Sequence, residues 1–232
     1  MENLKGKNAF ITGATSGLGR EIANQLYEAG CNLFVVGRNA VELDRLRSDL
    51  GAVSCLADLS DETEVLASCK AANTELGTID IVVNCAGVFP LQNIAETTLE
   101  QYDRCMNINV RAPFIISRYF MSEMKSKGWG RILNVGSSSA YGGSADAGIY
   151  CTSKHALLGL TRSLYQELRN DGVRVYSFSP GSIRTPMGLT DHRQDHSTFL
   201  DPKEVAEYAV FIMSHDNELI AEEIRVNRIE VR

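Results

Sequence analysis

Apolar residues along this chain fall into two alternating spacings. NAFIT (8–12), NLFVVG (32–37) and IDIVVN (79–84) are apolar at consecutive positions, the pattern of strands buried on both faces. AVSCL (52–56), GRILNVGS (130–137) and GVRVYSFS (172–179) read the same way, and EEIRVNRIEV (222–231) reads as a last strand. Between them, apolar residues recur at helical spacing over 19–30, 40–50, 61–76, 150–169 and 201–215. Gly30 is placed to end the first helix, an Asp/Ser cluster to cap the third, and Pro202 lies in the first turn of the last. The stretch 99–127 is helical with Pro113 inside it, which predicts either a kink or two helices joined there.

Strand and helix alternate from end to end, and strands apolar on both faces require cover on both. The expected fold is α/β: a Rossmann-type, doubly wound parallel sheet of about seven strands with helices on both faces. The sequence shows no internal repeat, low-complexity tract or linker. Its 232 residues suit one domain, so residues 1–232 are expected to form a single unit.

Charge and cysteine usage narrow the function classes. Acidic residues outnumber basic ones 29 to 23, giving a net charge of -6, which argues against non-specific binding to nucleic acid or an anionic membrane. No apolar run reaches the length of a transmembrane helix, and MENLKGKNAFITG lacks a signal-peptide layout. Cysteines 31, 55, 69, 85, 105 and 151 match neither a CxxC pair nor a metal spacing. They are expected to be reduced core residues of a cytoplasmic protein, with no metal bound.

Three features carry candidate chemistry. The glycine loop Thr12-Gly13-Ala14-Thr15-Ser16-Gly17-Leu18-Gly19 follows the first strand and opens the first helix. In that context glycines let the backbone approach a pyrophosphate, and the helix start offers N–H groups and a positive dipole end. The second strand ends Val36-Gly37-Arg38-Asn39, with no carboxylate for a free ribose 2′-OH. A guanidinium there suits a 2′-phosphate, so NADP(H) is favoured over NAD(H). Third, GIYCTSK sets Tyr150 and Lys154 four residues apart at a helix start, on one face. The plain reading is packing. The chemical one is acid–base work, because a neighbouring cation stabilises phenolate.

Together these pieces resemble the short-chain dehydrogenase/reductase family of the short single-domain type, over nearly the whole chain. Its TGxxxGxG is TGATSGLG, its NNAG is Asn84-Cys85-Ala86-Gly87, and its helix-borne asparagine is Asn109 in MNINVRAPF. Its serine is Ser137 in NVGSSSAY, its YxxxK is Tyr150 to Lys154, and its Pro-Gly-to-Thr segment is Pro180-Gly181-Ser182-Ile183-Arg184-Thr185. The extended, sugar-epimerase-like branch fits less well, since its glycine spacing is TGxxGxxG. Two departures stand out. Cys85 replaces the second Asn of NNAG, and the chain ends IRVNRIEVR where the family often carries Asp-Gly-Gly.

The resemblance implies a site. Gly13, Thr15, Ser16, Gly17, Leu18 and Gly19 would hold the pyrophosphate. Arg38 would hold the 2′-phosphate, helped by Asn39 and the hydroxyls of Thr15 or Ser16. Asp58 and Leu59 would border the adenine, and Asn84, Ala86 and Gly87 the ribose beyond it. Pro180, Gly181, Ile183 and Thr185 would frame the nicotinamide. Tyr150 would exchange the proton, with its pKa lowered by Lys154, which would also bond the nicotinamide ribose. Ser137 would orient the substrate oxygen, and Asn109 would hold a water leading protons to Lys154 or simply bond to backbone. The implied substrate is a small-molecule carbonyl, either an aldehyde, a ketone or a 3-oxoacyl group, reduced to the alcohol or formed in reverse. Residues 186–200 would close its pocket, with Val88, Phe89, Leu91 and Tyr141 on an apolar side. A homodimer or homotetramer is implied, through the helices after Leu99 and after Tyr150. The alternative from another class is an idle NADP-binding regulatory or scaffold protein. His192 and His196 lack further ligands at zinc spacing, and Ser137-Ser138-Ser139 lacks a His/Asp partnership for hydrolase chemistry.

Overall fold

The computed structural model describes residues 4–217 and 219–229. Seven strands form one sheet: β1 (Asn8–Thr12), β2 (Asn32–Gly37), β3 (Val53–Leu56), β4 (Ile81–Asn84), β5 (Gly130–Val135), β6 (Val173–Pro180) and β7 (Glu223–Val226). All neighbours pair parallel, in the order β3-β2-β1-β4-β5-β6-β7. The seven-stranded, doubly wound sheet expected from the alternating pattern is the one observed. The last strand is shorter than its sequence pattern. It stops at Val226, and the end of the expected 222–231 run lies outside the described residues.

The reason for consecutive apolar positions is visible in which side each residue faces. In β1, Ala9 and Ile11 pack with Val35, Val83 and Leu133 under the helices α1 (Gly17–Glu28), α2 (Ala40–Leu50) and α7 (Pro202–Met213). Phe10, between them, points the other way with Phe34, Val82, Ile132 and Val175. That second face is covered by α3 (Glu62–Leu76), α5 (Ala112–Lys127) and α6 (Gly148–Leu168). Because side chains alternate across a strand, a strand buried on both sides is mostly apolar at consecutive positions, and a polar residue within it needs a buried partner, as Asn84 has in Asn134.

Local chemistry sets several boundaries. Asp61 caps α3 by accepting from the N–H groups of Thr63 and Glu64, and Asp201 caps α7 by accepting from Lys203. Residues 99–127 are neither simply kinked nor split at Pro113. They form α4 (Leu99–Met106), a π-helical segment over Asn107–Arg111, and then α5. Proline has no N–H to give the carbonyl four residues back, and its ring crowds that carbonyl. The helix loosens one step ahead of it, with the Ala112 N–H reaching the carbonyl of Asn107, five residues back.

Candidate active site

In an open parallel sheet, a crevice forms at the carboxyl ends of the strands where the strand order reverses. Here β1 has β2 on one side and β4 on the other, and a cleft of about 870 Å³ opens above that point. The loop after β1 forms its floor. Gly13 has φ of +73°, and a Cβ on it would stand 2.8 Å from the backbone of Ala86, in the loop after β4. A Cβ on Gly19 would stand 2.3 Å from the Gly13 carbonyl oxygen, so only glycine lets α1 start this close to β1. Ser16, at the N-cap of α1, makes no side-chain capping bond, and the first turn carries no acidic residue. The N–H groups of that turn therefore face the cleft uncapped, which is the donor set an anionic pyrophosphate needs.

Most of the expected cofactor residues line this one cleft: Gly13, Thr15, Ser16, Gly17, Leu18 and Gly19; Arg38 and Asn39; Asp58 and Leu59; Ala86 and Gly87; Pro180, Gly181, Ile183 and Thr185. Arg38 is exposed and makes no ion pair among the described residues, so its guanidinium is unclaimed at the end of β2. Asn39 caps α2 by accepting from the Glu42 N–H. Asp58 is already neutralised. Burial works against its charge, but hydrogen bonds from Ser60 and Arg104 prevail and hold its carboxyl below the usual carboxylate range.

Three expected residues lie elsewhere. Asn84 is buried beneath the cleft rather than lining it; its amide donates to Asn134 at 2.8 Å, on the neighbouring strand. As the last residue of β4 it points across the sheet, and the chain turns into the cleft only at Cys85. Tyr141 turns away from the pocket: its hydroxyl meets Glu223 of β7 and the Arg225 guanidinium lies 4.3 Å from its ring centre. The apolar wall comes instead from Val88 and Phe89, with Phe89 packed edge-on to Tyr150 at 4.6 Å between ring centres; Leu91 does not line the cleft.

Ser137, Tyr150 and Lys154 all line the cleft, with Asn109 behind them. Tyr150 sits in the first turn of α6, with its hydroxyl toward Ser137. Burial pushes the phenol up to about 12, against the opposing pull of the Ser137 hydroxyl. Lys154, one turn on, is buried, donates to the Val135 carbonyl at 2.8 Å, and burial pulls its ammonium down to about 8. The expected lowering of the tyrosine by the lysine is thus reversed in this structure. Burial outweighs the cation, whose Nζ lies 5.6 Å from the centre of the phenol ring and points at a backbone oxygen.

Asn109, on the π-helical segment, accepts from the Val88 N–H at 2.9 Å and donates to the Val88 carbonyl at 3.0 Å and to Ser153 at 3.0 Å. Of its two expected roles, the backbone bond is present. Ser153 is a residue the sequence reading missed. Fully buried between Tyr150 and Lys154 in the chain, it donates in turn to the Tyr150 carbonyl at 2.7 Å.

The far wall was also missed in part. Segment 186–200 does border the cleft, through Pro186, Met187, Asp191, Arg193 and Gln194, joined by Asn227 and Arg228 just past β7. Buried Asp191 accepts two hydrogen bonds from the Arg193 guanidinium and one from its backbone N–H, which with the Gln194 amide hold its carboxyl well below the usual range; Arg193 also reaches Asp146 at 3.0 Å. The only sequence sign of Arg228 was the unusual chain end. Cys85 lines the cleft, but burial pushes its thiol up to about 12, so it is not a thiolate nucleophile. Among the described residues no cluster of His, Cys, Asp or Glu is arranged for a metal, and no helix is long and apolar enough to cross a membrane.

Comparison with known proteins bears on this geometry. A family model described as short chain dehydrogenase matches residues 7–196. An uncharacterized oxidoreductase of Thermotoga maritima is 37% identical over 190 residues, which cover 79% of this chain and 74% of that protein. The crystal structure of 3-ketoacyl-(acyl-carrier-protein) reductase from Brucella melitensis, complexed with NADH, superposes with a TM-score of 0.88 at 30% identity, covering 97% of each chain. A blue fluorescent protein from a metagenomic library, in complex with NADPH, superposes with a TM-score of 0.88 at 32% identity, again covering 97% of each chain.

Proposed function

This chain belongs to the short-chain dehydrogenase family, and from that premise we propose that it is a single-domain, NADP(H)-dependent reductase of a small carbonyl compound. The carbonyl is an aldehyde, a ketone or a 3-oxoacyl group, and the reaction runs to the alcohol or in reverse. The observation that carries the reading is the meeting of Tyr150, Ser137 and Lys154 in the same cleft as the uncapped start of α1.

The residues present fit a dinucleotide. The α1 start and the close-packed glycines suit the pyrophosphate, and the unclaimed Arg38 with Thr15, Ser16 and Asn39 suits a 2′-phosphate. Solved relatives include complexes with NADPH and with NADH, so the preference for NADP(H) rests on Arg38. When bound, the cofactor supplies the hydride. Ser137 and Tyr150 converge on the substrate oxygen, and their hydroxyls stabilise the charge growing on it. Tyr150 gives that oxygen its proton; a phenol held up to about 12 is fully protonated at neutral pH, the state that reduction needs. Lys154, anchored by Val135, would bond a ribose hydroxyl and set a positive charge beside Tyr150. Asn109 holds the Val88 backbone and Ser153, tying the wall that carries Phe89 to α6.

Operation in the cytoplasm, with all six cysteines as free thiols, and assembly as a homodimer or homotetramer are parts of the same proposal. NADPH oxidation measured against a panel of carbonyl compounds, with Tyr150→Phe as control, tests it. The expected result is turnover that the variant loses. A variant as active as the parent removes Tyr150 from the mechanism, and a protein that binds cofactor without turning over any carbonyl is the scaffold.

A further inference from the structure

The far wall of the cleft holds a cation that the reaction does not use. Arg228 follows β7 and lines the cleft half-buried, its guanidinium 5.2 Å from the centre of the Phe199 ring. Its two terminal nitrogens donate at 2.8 Å to Gln194 Oε1 and Thr198 Oγ1, both neutral oxygens. No carboxylate among the described residues pairs with it. The neighbouring carboxylates are taken: Asp191 by Arg193 and by the Gln194 amide, and Asp146 by Arg193. Gln194 thus donates its side-chain amide N–H to Asp191 and accepts with its oxygen from Arg228 and Ser182, which fixes both its orientation and that of the guanidinium. Ser182 lies between Gly181 and Ile183, on the stretch proposed to frame the nicotinamide, so this cation borders the substrate end of the cleft.

A positive charge set in a half-buried wall, held in place by neutral groups, is an anion receptor. A guanidinium held by two of its donors still presents its Nε–H and its charge to an approaching oxyanion. We propose that Arg228 is a specificity-determining residue that selects a carbonyl substrate carrying a carboxylate, an oxo acid, over the corresponding neutral ester. The inference deepens the proposed carbonyl reduction and rests on it. The apolar contacts of Val88 and Phe89 then lie along the carbon skeleton, with the carbonyl toward Tyr150 and the carboxylate toward Arg228.

The test uses 2-oxo, 3-oxo and 4-oxo acids of four to six carbons and their ethyl esters, with NADPH oxidation read for the parent, Arg228→Gln and Arg228→Lys. The parent is expected to prefer one acid over its ester. Arg228→Gln should lower the acid-to-ester ratio of kcat/KM by about tenfold or more, the size of a lost hydrogen bond to a charged group. Arg228→Lys, which keeps the charge, should retain more of the ratio than Arg228→Gln. Equal losses on acid and ester would mean that Arg228 only tethers the 194–198 loop, and would overturn the assignment. Turnover of esters with every acid refused overturns it as well, while leaving carbonyl reduction standing. A parent that turns over neither acids, esters nor any other carbonyl removes the reduction itself, and the carboxylate receptor falls with it.

Discussion

Lys154 holds its ammonium 5.6 Å from the centre of the Tyr150 ring and directs it at the Val135 carbonyl, 2.8 Å away, rather than at the phenol oxygen. The pair that the sequence sets one helical turn apart is therefore not an ion pair in waiting. Burial raises the phenol and lowers the amine, so each is pushed toward its neutral form.

That arrangement has a signature in stability against pH. Between about 8 and the ordinary lysine value of 10.5, Lys154 has shed its proton in the folded protein but keeps it in the unfolded chain. Where the unfolded state binds more protons, stability rises with pH. The contribution of Lys154 is therefore smallest below its folded pKa and grows as pH rises toward its unfolded value. Subtracting the urea-unfolding free energies of Lys154→Met from those of the parent, at pH 7.0 and pH 9.5 without cofactor, should leave a difference that shifts in favour of the parent at the higher pH. A flat difference would show that the amine is not desolvated.

Tyr150→Phe keeps the ring against Phe89 and deletes only the proton donor. Carbonyl reduction should fall by about 10²–10⁴-fold, the usual worth of a positioned acid. The dissociation constant for NADPH, followed by fluorescence quenching, should change little.

Arg38→Ala removes the unclaimed guanidinium at the end of β2. Affinity for NADPH should drop by about tenfold or more, as expected for charge-assisted hydrogen bonds, while affinity for NADH stays nearly constant. Parallel titrations with the two nucleotides decide this, and equal losses would count against a 2′-phosphate site.

Asn109→Ala leaves the N–H and carbonyl of Val88 without their side-chain partner in a half-buried loop. The cost should be about 1–3 kcal/mol for each group not reached by water. It would be read as a lower urea midpoint with an unchanged m-value. A midpoint equal to that of the parent would mean that solvent replaces the carboxamide completely.

Leu99, Tyr102 and Phe114 are large, apolar and exposed on α4 and α5, at 83%, 40% and 45% of their full accessibility. A homodimer or homotetramer would cover them. Size-exclusion chromatography with light scattering should give twice or four times the chain mass, and Phe114→Asp should shift that mass downward. A parent that elutes only as monomer rejects the assembly.

Much of this was written in local sequence. Consecutive apolar residues marked the buried strands, since a strand covered on both faces is mostly apolar on both. The glycine loop was legible because its need is steric and local: Gly13 and Gly19 leave room for neighbouring backbone. Tyr150 and Lys154 were legible because helical spacing alone brings positions i and i+4 to one face. The π-helical turn before Pro113 was half legible, since a proline announces strain but not how the backbone relieves it.

What the sequence could not decide was anything that depended on two distant segments meeting. The Val135 carbonyl that claims Lys154, the Asn134 amide that claims Asn84 and the β7 residues that claim Tyr141 are set by strand order and by which way each strand end turns. The same is true of Arg228, which is an unremarkable charge near the chain end until β7 pairs beside β6 and brings it against Gln194 and Thr198. Identity and spacing specify what a residue can do within its own element. Whether burial changes its proton affinity, as it does for Tyr150 and Lys154, is an electrostatic property of the folded whole.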